Sequence, residues 1–157
     1  MIVGALAGGL VGTIVLTTGS RLAQQLGWTR MDIPLLLGTI FTANRGRATV
    51  IGYAIHFTNG LLFSLAYGLI FEATGRAGWA FGLLLGAVHG AFAGGGLLNV
   101  LLPVVHPRMG KPWTDARSTP LLEPPGFLLS NYGRTTLIAT FALHLVYGAI
   151  VGAFASL

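Results

Sequence analysis

Four long apolar stretches, at residues 2–19, 49–71, 79–105 and 135–157, constrain the fold of this chain more than any other feature. A helix needs about 20 apolar residues to cross the roughly 30 Å hydrocarbon core of a bilayer, and each stretch approaches or exceeds that length. Only 8% of the residues are charged and 54% are hydrophobic, whereas soluble domains are roughly a quarter charged. We therefore predict an all-α integral membrane protein in which these stretches form the first to fourth spans.

The basic residues predict the orientation of the spans. Of the nine Lys and Arg residues, only Arg76 lies in the connection between the second and third spans. The other eight lie in or beside the first and third connections: Arg21, Arg30, Arg45, Arg47, Arg108, Lys111, Arg117 and Arg134. By the positive-inside rule these two connections are cytoplasmic and both termini face outward, and we expect a bacterial cytoplasmic membrane. The dispersed charges form no basic patch for nucleic acid, so the expected partners are lipid and other membrane subunits or a second copy.

An internal repeat links the second and fourth spans. Residues 44–51 (NRGRATVI) align with residues 131–138 (NYGRTTLI), and five of these eight positions are identical. After a one-residue offset, His56 and Gly60 align with His144 and Gly148. We predict one transmembrane domain of two tandem hairpins, residues 1–75 and 76–157, which share one orientation and are related by a pseudo-two-fold axis along the membrane normal.

The first and third connections are long and contain apolar segments at residues 35–41 and 120–129. Such segments are too apolar for solvated loops, so we predict amphipathic or re-entrant segments on the cytoplasmic face. Asn44 and Asn131 are predicted to cap the helices of the second and fourth spans. Asp32 is interpreted as a surface charge and His106 as an interfacial histidine at a helix end.

Three histidines, His56, His89 and His144, lie nine or ten residues inside their spans. At 1.5 Å per residue this is ~13 to 15 Å, close to the middle of a bilayer. Each is followed four residues later by a small residue (Gly60, Ala93 or Gly148), which places it on a face suited to helix packing. A histidine at this depth indicates a functional site. The alternative is a buried structural histidine that is hydrogen-bonded to nearby donors or acceptors, for which the candidates are Thr58, Asn59, Ser64 and Tyr147.

One hypothesis is a haem b between the second and fourth spans. His56 and His144 would be its two axial ligands, and the repeat makes them a symmetric pair. Gly60 and Gly148 would leave room for the macrocycle, and Arg47 and Arg134 would be available to its propionates.

A second hypothesis is one transition-metal ion bound by His56, His144 and His89, because neutral imidazole suits zinc, copper and iron. No carboxylate lies near the middle of a span to support such a site. His89 aligns with Ala7 of the first span and so breaks the repeat, which makes it the likelier structural histidine of the three.

Other functions remain open at this stage. The chain has no cysteine and no nucleotide, protease or hydrolase motif, so we do not expect an enzyme acting on its own. It could instead be an accessory subunit of a larger membrane complex without any cofactor, using its glycine stripes for intermolecular contacts. It could also be a small solute or lipid carrier, since parallel repeats around a mid-membrane polar site are a transporter theme. Proton or ion passage is disfavoured because every acidic residue lies away from the middle of the spans.

Overall fold

The computed structural model describes residues 1–110 and 122–157, and in these residues it contains helices and no strand. Four helices are long and apolar enough to cross a membrane: Ile2–Gln25, Arg45–Thr74, Trp79–Val105 and Thr136–Ala155. The prediction of four helices with the length and apolar composition of membrane spans is confirmed. The first two helices extend beyond the apolar stretches, because they continue into the polar residues at the ends of their spans.

The elements follow one another in a simple order. The first span is α1 (Ile2–Gln25), and after it come α2 (Ile33–Gly38) and the second span, α3 (Arg45–Thr74). The third span consists of α4 (Trp79–Ala91), a π-helix (Phe92–Leu101) and α5 (Leu102–Val105). A short 3₁₀ helix (Phe127–Tyr132) precedes the fourth span, α6 (Thr136–Ala155). In the bundle α4 packs against α6, α6 against α1, and α1 against α3, whereas α3 faces the third span mainly through side chains.

Glycines bring α4 and α6 into backbone contact. A Cβ atom on Gly82 would collide with the carbonyl of Gly148, and one on Gly148 would collide with the carbonyl of Gly82. Gly86 meets the backbone of His144 in the same way. Small residues at this spacing let two membrane helices approach closely, where dispersion contacts hold them together. The glycine stripe of the third span is therefore used inside the chain.

The glycines of α1 are also used internally. Gly4 and Gly8 lie against the end of α6 at Phe154, and Gly12 lies against the ring of Tyr147. On the neighbouring face Gly9 contacts Ser64 of α3. The glycine stripe of the first span thus packs between α6 and α3 and is not left free on an outer face.

The two ends of the bundle differ in construction. We call the end with residues 26–44 and the described parts of residues 106–135 the connection end, and the end with the short turn at residues 75–78 the turn end. A first core cluster in the bundle consists of Ala5, Leu16, Tyr67, Phe71, Tyr147, Val151 and Ala155. A second cluster at the connection end consists of Met31, Leu36, Leu102, Met109, Leu129 and Tyr132.

The apolar segment of the first connection forms α2, which lies against the start of α3. Asp32 caps α2 by accepting from the amide of Leu35 at 3.1 Å, and it pairs with Arg21 of α1 at 3.0 Å. The guanidinium of Arg21 also donates to the hydroxyl of Tyr53 on α3 at 3.0 Å. Asp32 is therefore a capping and pairing residue that joins α1, α2 and α3, and its interpretation as a simple surface charge is wrong.

His106 fastens the end of the third span to α2. Its ring is 1% exposed, its Nδ1 accepts from the amide of Arg108 at 3.1 Å, and its Nε2 donates to the carbonyl of Leu36 at 3.1 Å. The Arg108 guanidinium adds a hydrogen bond to the carbonyl of Ile40 at 3.0 Å. Burial lowers the pKa of His106, and the nearby Arg108 charge lowers it further. His106 is a buried structural group, so its interpretation as an interfacial histidine is wrong.

The two predicted asparagine caps have different outcomes. Asn44 is the N-cap of α3 and accepts from the amide of Arg47 at 3.0 Å, as predicted. Asn131 does not cap α6, which begins at Thr136, and its side chain donates instead to the carbonyl of Pro124 at 3.0 Å. The reason is the turn at Gly133, whose φ of 127° separates Asn131 from the helix.

The third connection is described only in part. Lys111, Arg117 and the first two residues of the predicted apolar segment at 120–129 lie outside the described residues. The rest of that segment leads into the 3₁₀ helix, where Leu128 and Leu129 have φ values of 51° and 63°. This left-handed backbone is unfavourable for leucine. It is stabilised by the complete burial of Leu129 and by a 3.2 Å hydrogen bond from its amide to the side chain of Asn99.

Candidate intramembrane binding site

A cavity of about 280 Å³ lies between the two core clusters. All four spans contribute to its wall, and Met31, Ile33 and Leu37 of the first connection line it at the connection end. Most of the wall is apolar. The residues that contribute polar side chains are Thr13, Ser20, His56, Asn59, His89, Thr140, His144 and Tyr147. The three mid-span histidines of the sequence thus line one common cavity.

The π-helix explains why there is space beside the third span. Pro103 has no amide hydrogen to continue an α-helical ladder, and Gly94, Gly95 and Gly96 place three residues without side chains in a row. A π-helix is wider than an α-helix, and such segments are frequent at functional sites. Residues on this segment and α5, including Ala93, Leu97 and Leu101, form one side of the cavity.

His144 has a defined hydrogen-bonding state. Its Nδ1 lies 2.7 Å from the carbonyl oxygen of Thr140, one turn earlier in α6. A carbonyl accepts only, so Nδ1 carries the hydrogen and Nε2 is left with a lone pair. No partner for Nε2 is found in the part of the chain that the structure describes. The Nε2 lone pair is therefore an acceptor available to the cavity.

His89 lies among aromatic rings. Its imidazole stacks on Phe63 with ring centroids 3.8 Å apart, and it meets the ring of His144 edge to face at 4.6 Å. The side chain is 9% exposed, and its Nδ1 is buried without a hydrogen-bond partner in residues 1–110 and 122–157. The hydroxyl of Tyr67, whose ring centroid is 6.0 Å from that of His89, is buried without a partner as well.

His56 is placed differently from the other two. Its Nε2 lies 3.1 Å from the hydroxyl of Thr17 on α1, so one of its nitrogens is already engaged by a neighbouring span. Its imidazole meets the ring of Phe57, the next residue of α3, edge to face with ring centroids 6.2 Å apart. The repeat-related pair His56 and His144 shares the cavity, but the closest imidazole pair in the described residues is His89 with His144.

The remaining predicted site residues lie in three environments. Gly60 lines the cavity and packs against Thr13. Gly148 is in the contact between α4 and α6, so its lack of a side chain serves helix packing. Arg47 and Arg134 are exposed near the starts of α3 and α6 and are not among the residues that line the cavity.

The chemistry of the wall is that of an uncharged site. Among the described residues no Asp, Glu, Lys or Arg lines the cavity. In residues 1–110 and 122–157 no group of three or more His, Cys, Asp or Glu side chains is arranged so that it could hold a metal ion. What the site offers is an apolar volume with a small number of neutral hydrogen-bonding groups, which is the usual composition of a small-molecule pocket.

The sequence identified Asn59 and Tyr147 as polar neighbours of the histidines, but it did not identify Thr140. Tyr147 lies in both the bundle core and the cavity wall, and its hydroxyl donates to the carbonyl of Gly60 at 2.5 Å. Asn59 and Thr140 line the cavity at positions within four residues of His56 and His144. The position of Thr140, four residues before His144 on the same helix face, is the signal that could have selected it. No family model, curated protein or solved structure matches this chain.

Proposed function

We propose that this protein binds a small, uncharged and mainly apolar molecule in the histidine-lined cavity, as a carrier or receptor for a membrane-dissolved solute or lipid. The observation that carries the proposal is a cavity of about 280 Å³ whose wall is apolar except for neutral polar groups. An apolar cavity of about 150 Å³ already holds a molecule as large as benzene, so this one has room for a larger ring or part of an alkyl chain.

Access from the bilayer supports a membrane-dissolved ligand. Leu101 and Val105 line the cavity and are also 48% and 56% exposed, so the cavity reaches the outer surface beside the third span. At the other end the rings of Tyr67, Phe71 and Tyr147 pack against one another at centroid distances of 5.9 and 6.3 Å. The cavity is thus open beside Leu101 and Val105 of the third span, where it faces the surroundings of the bundle.

A transition-metal ion is the second candidate, and the contact between His89 and His144 favours it. The hydrogen bond from His144 Nδ1 to the Thr140 carbonyl is the kind of support that metal-ligating histidines have. Two neutral imidazoles without a carboxylate make a weaker site than the three-ligand sites of catalytic zinc.

The cavity residues support haem b less well than they support an apolar ligand or a metal ion. The cavity is near the lower limit of small-molecule pockets, about 300 Å³, and a porphyrin is much larger than such a ligand. Ligation by His56 Nε2 would break its hydrogen bond to Thr17. A purely structural role in a larger complex is supported less as well, because the glycine stripes of α1 and α4 pack within the chain.

The proposal extends to the arrangement in the membrane. We infer two parallel repeats, residues 1–75 and 76–157, in a bacterial cytoplasmic membrane, with the connection end cytoplasmic. The packing of α1 on α3 and of α4 on α6 supports two hairpins, and the basic residues at the connection end support this orientation.

A photolabelling experiment tests the binding function. The full chain is placed in lipid nanodiscs and labelled with a decane analogue that carries a diazirine, with unlabelled decane as competitor. We expect saturable labelling of cavity residues that excess decane removes and that Ala93→Phe, which fills the cavity, abolishes. Val88→Phe is the matched control, because Val88 is 65% exposed on the same span and adds the same ring outside. Labelling that stays on outward residues and ignores Ala93→Phe would overturn the proposal.

Metal analysis and a visible spectrum of the same purified protein separate the two remaining candidates. Stoichiometric zinc, copper or iron that is lost in His144→Phe supports the metal site. A Soret band would support haem b. Neither is expected for the apolar-ligand function.

A further inference from the structure

The ring nitrogens of His89 and His144 are not equivalent, and their difference indicates what the cavity binds. His144 uses its Nδ1 hydrogen on the carbonyl of Thr140, so its Nε2 can only accept. A ligand that satisfies Nε2 must therefore bring a hydrogen-bond donor. Hydrocarbons, ethers, esters and quinone carbonyls bring none.

His89 has the complementary state when its buried Nδ1 is satisfied. In the described residues the two buried side-chain polar atoms without a partner are Nδ1 of His89 and the hydroxyl of Tyr67, and they belong to neighbouring rings. The two atoms are not bonded to each other directly, but one water that accepts from the Tyr67 hydroxyl and donates to Nδ1 would satisfy both, and unsatisfied buried groups are costly. Nδ1 is then an acceptor, so the hydrogen of the neutral imidazole lies on Nε2.

The cavity consequently offers one donor, His89 Nε2–H, next to one acceptor, His144 Nε2. The two rings meet edge to face at a centroid distance of 4.6 Å, so the donor and the acceptor belong to neighbouring rings of one cavity wall. A hydroxyl group is the small uncharged group that donates and accepts at one oxygen. Building on the proposed binding function, we propose that the ligand is a membrane-dissolved alcohol, with one hydroxyl held between His89 and His144 and an apolar body in the cavity.

Charged lipid head groups do not suit this site. A carboxylate or phosphate inside the span would need a cationic partner, and no Lys or Arg of the described residues lines the cavity. The apolar wall formed by Leu97, Leu101 and Val105 leads from the histidines towards the outer surface, and it suits an alkyl or isoprenoid chain.

A competition series tests the head group directly. The diazirine-decane label on the full chain in nanodiscs is displaced with 1-decanol, decyl methyl ether and decanoate. We expect 1-decanol to compete about tenfold better than the ether. The ether oxygen can accept from His89 Nε2–H but cannot donate to His144 Nε2, and one neutral hydrogen bond accounts for roughly that factor. His144→Phe should reduce 1-decanol to the level of the ether. Val146→Phe, at an outward position of the same helix, is the control that should leave the preference intact.

Histidine ¹⁵N NMR of the same sample keeps the test independent of variant folding. Nε2 of His144 should resonate as an unprotonated nitrogen, and it should shift on addition of 1-decanol but not of the ether. Equal competition by 1-decanol and the ether, or a protonated His144 Nε2, would overturn the alcohol assignment while the binding function stands. If none of the three compounds nor decane displaces the label, the binding function itself fails.

Discussion

The two halves of the third span are both rich in glycine, yet they do opposite things. In α4, Gly82, Gly86 and Gly90 recur every four residues, and each meets the backbone or side chains of α6. In the π-helix the glycines are consecutive. Gly94 continues the stripe and still meets Leu137 of α6, whereas Gly95 has no neighbouring atom within 4 Å of where a Cβ would stand. The comparison teaches that spacing decides the role: glycines one turn apart bring helices together, whereas adjacent glycines accompany a wider helix that borders a cavity.

The largest expected effect breaks the first half of this comparison. Gly82→Val places a side chain against the carbonyl of Gly148 and should destabilise the protein by about 3 kcal/mol, because neither backbone can yield without separating α4 from α6. The measurement is the free energy of unfolding from SDS titration in mixed micelles. Gly95→Val is the matched control and should change stability by less than about 1 kcal/mol. Equal losses for the two variants would contradict the distinction.

The next effect concerns the end of the third span, where His106 fastens it to α2. His106→Phe keeps a ring of similar size but leaves the buried carbonyl of Leu36 without its donor. This should lower the free energy of unfolding by about 1 to 3 kcal/mol. The same SDS titration measures it. Protection of the Leu36–Ile40 region from hydrogen exchange should fall together with the stability. A variant as stable as the parent protein would show that the hydrogen bond contributes little.

Acid should loosen the connection end through the same residue. The pKa of His106 is lowered in the folded protein from an ordinary value of 6.5, mainly by burial. Its contribution to stability is therefore complete above about pH 6.5 and declines as the pH falls from there towards the lowered pKa. Histidine titrates over roughly pH 5 to 7.5, so unfolding titrations should cover about this range. As the pH falls, the free energy of unfolding should decrease more steeply in the parent protein than in His106→Phe. Parallel pH profiles would contradict this assignment.

The smallest expected effect compares the two aligned asparagines. Asn44→Ala removes the cap of α3 and should cost about 1 kcal/mol. Asn131→Ala should cost less, because its exposed side chain donates to a loop carbonyl and caps no helix. Unfolding free energies of the two single variants test the order. The reverse order would mean that the aligned motif acts alike in both repeats.

The sequence was sufficient for the features that depend on local pattern. Span length follows from apolar stretches, and the cap at Asn44 follows from an asparagine placed before a helix. The same pattern failed at Asn131 because the positive φ of Gly133 is part of a turn that packs against residues 28 and 29 of the first connection. Local identity does not fix a conformation that distant residues stabilise.

The site could be predicted only in part for a related reason. The equal depth of the three histidines indicated a shared site, and all three line one cavity. Which imidazoles touch depends on the order in which the helices pack, and α6 packs far more closely against α4 than against α3. The repeat favoured His56 with His144, whereas packing brings His89 to His144. The role of Asp32 was readable in principle, since an Asp two residues before Pro34 is typical of a helix start.

The π-helix also sets the rotational register of the second half of the third span. Each π turn takes up one residue more than an α turn in its hydrogen-bond spacing, so the residues after Leu101 are out of phase with α4. Leu102 is 6% exposed and Val104 is 67% exposed in this shifted register. Deleting Gly95 would let the helix tighten and rotate residues 97–105 relative to the bundle. A one-codon deletion at this position would therefore turn different faces of residues 97–105 towards the cavity without substituting any residue that lines it.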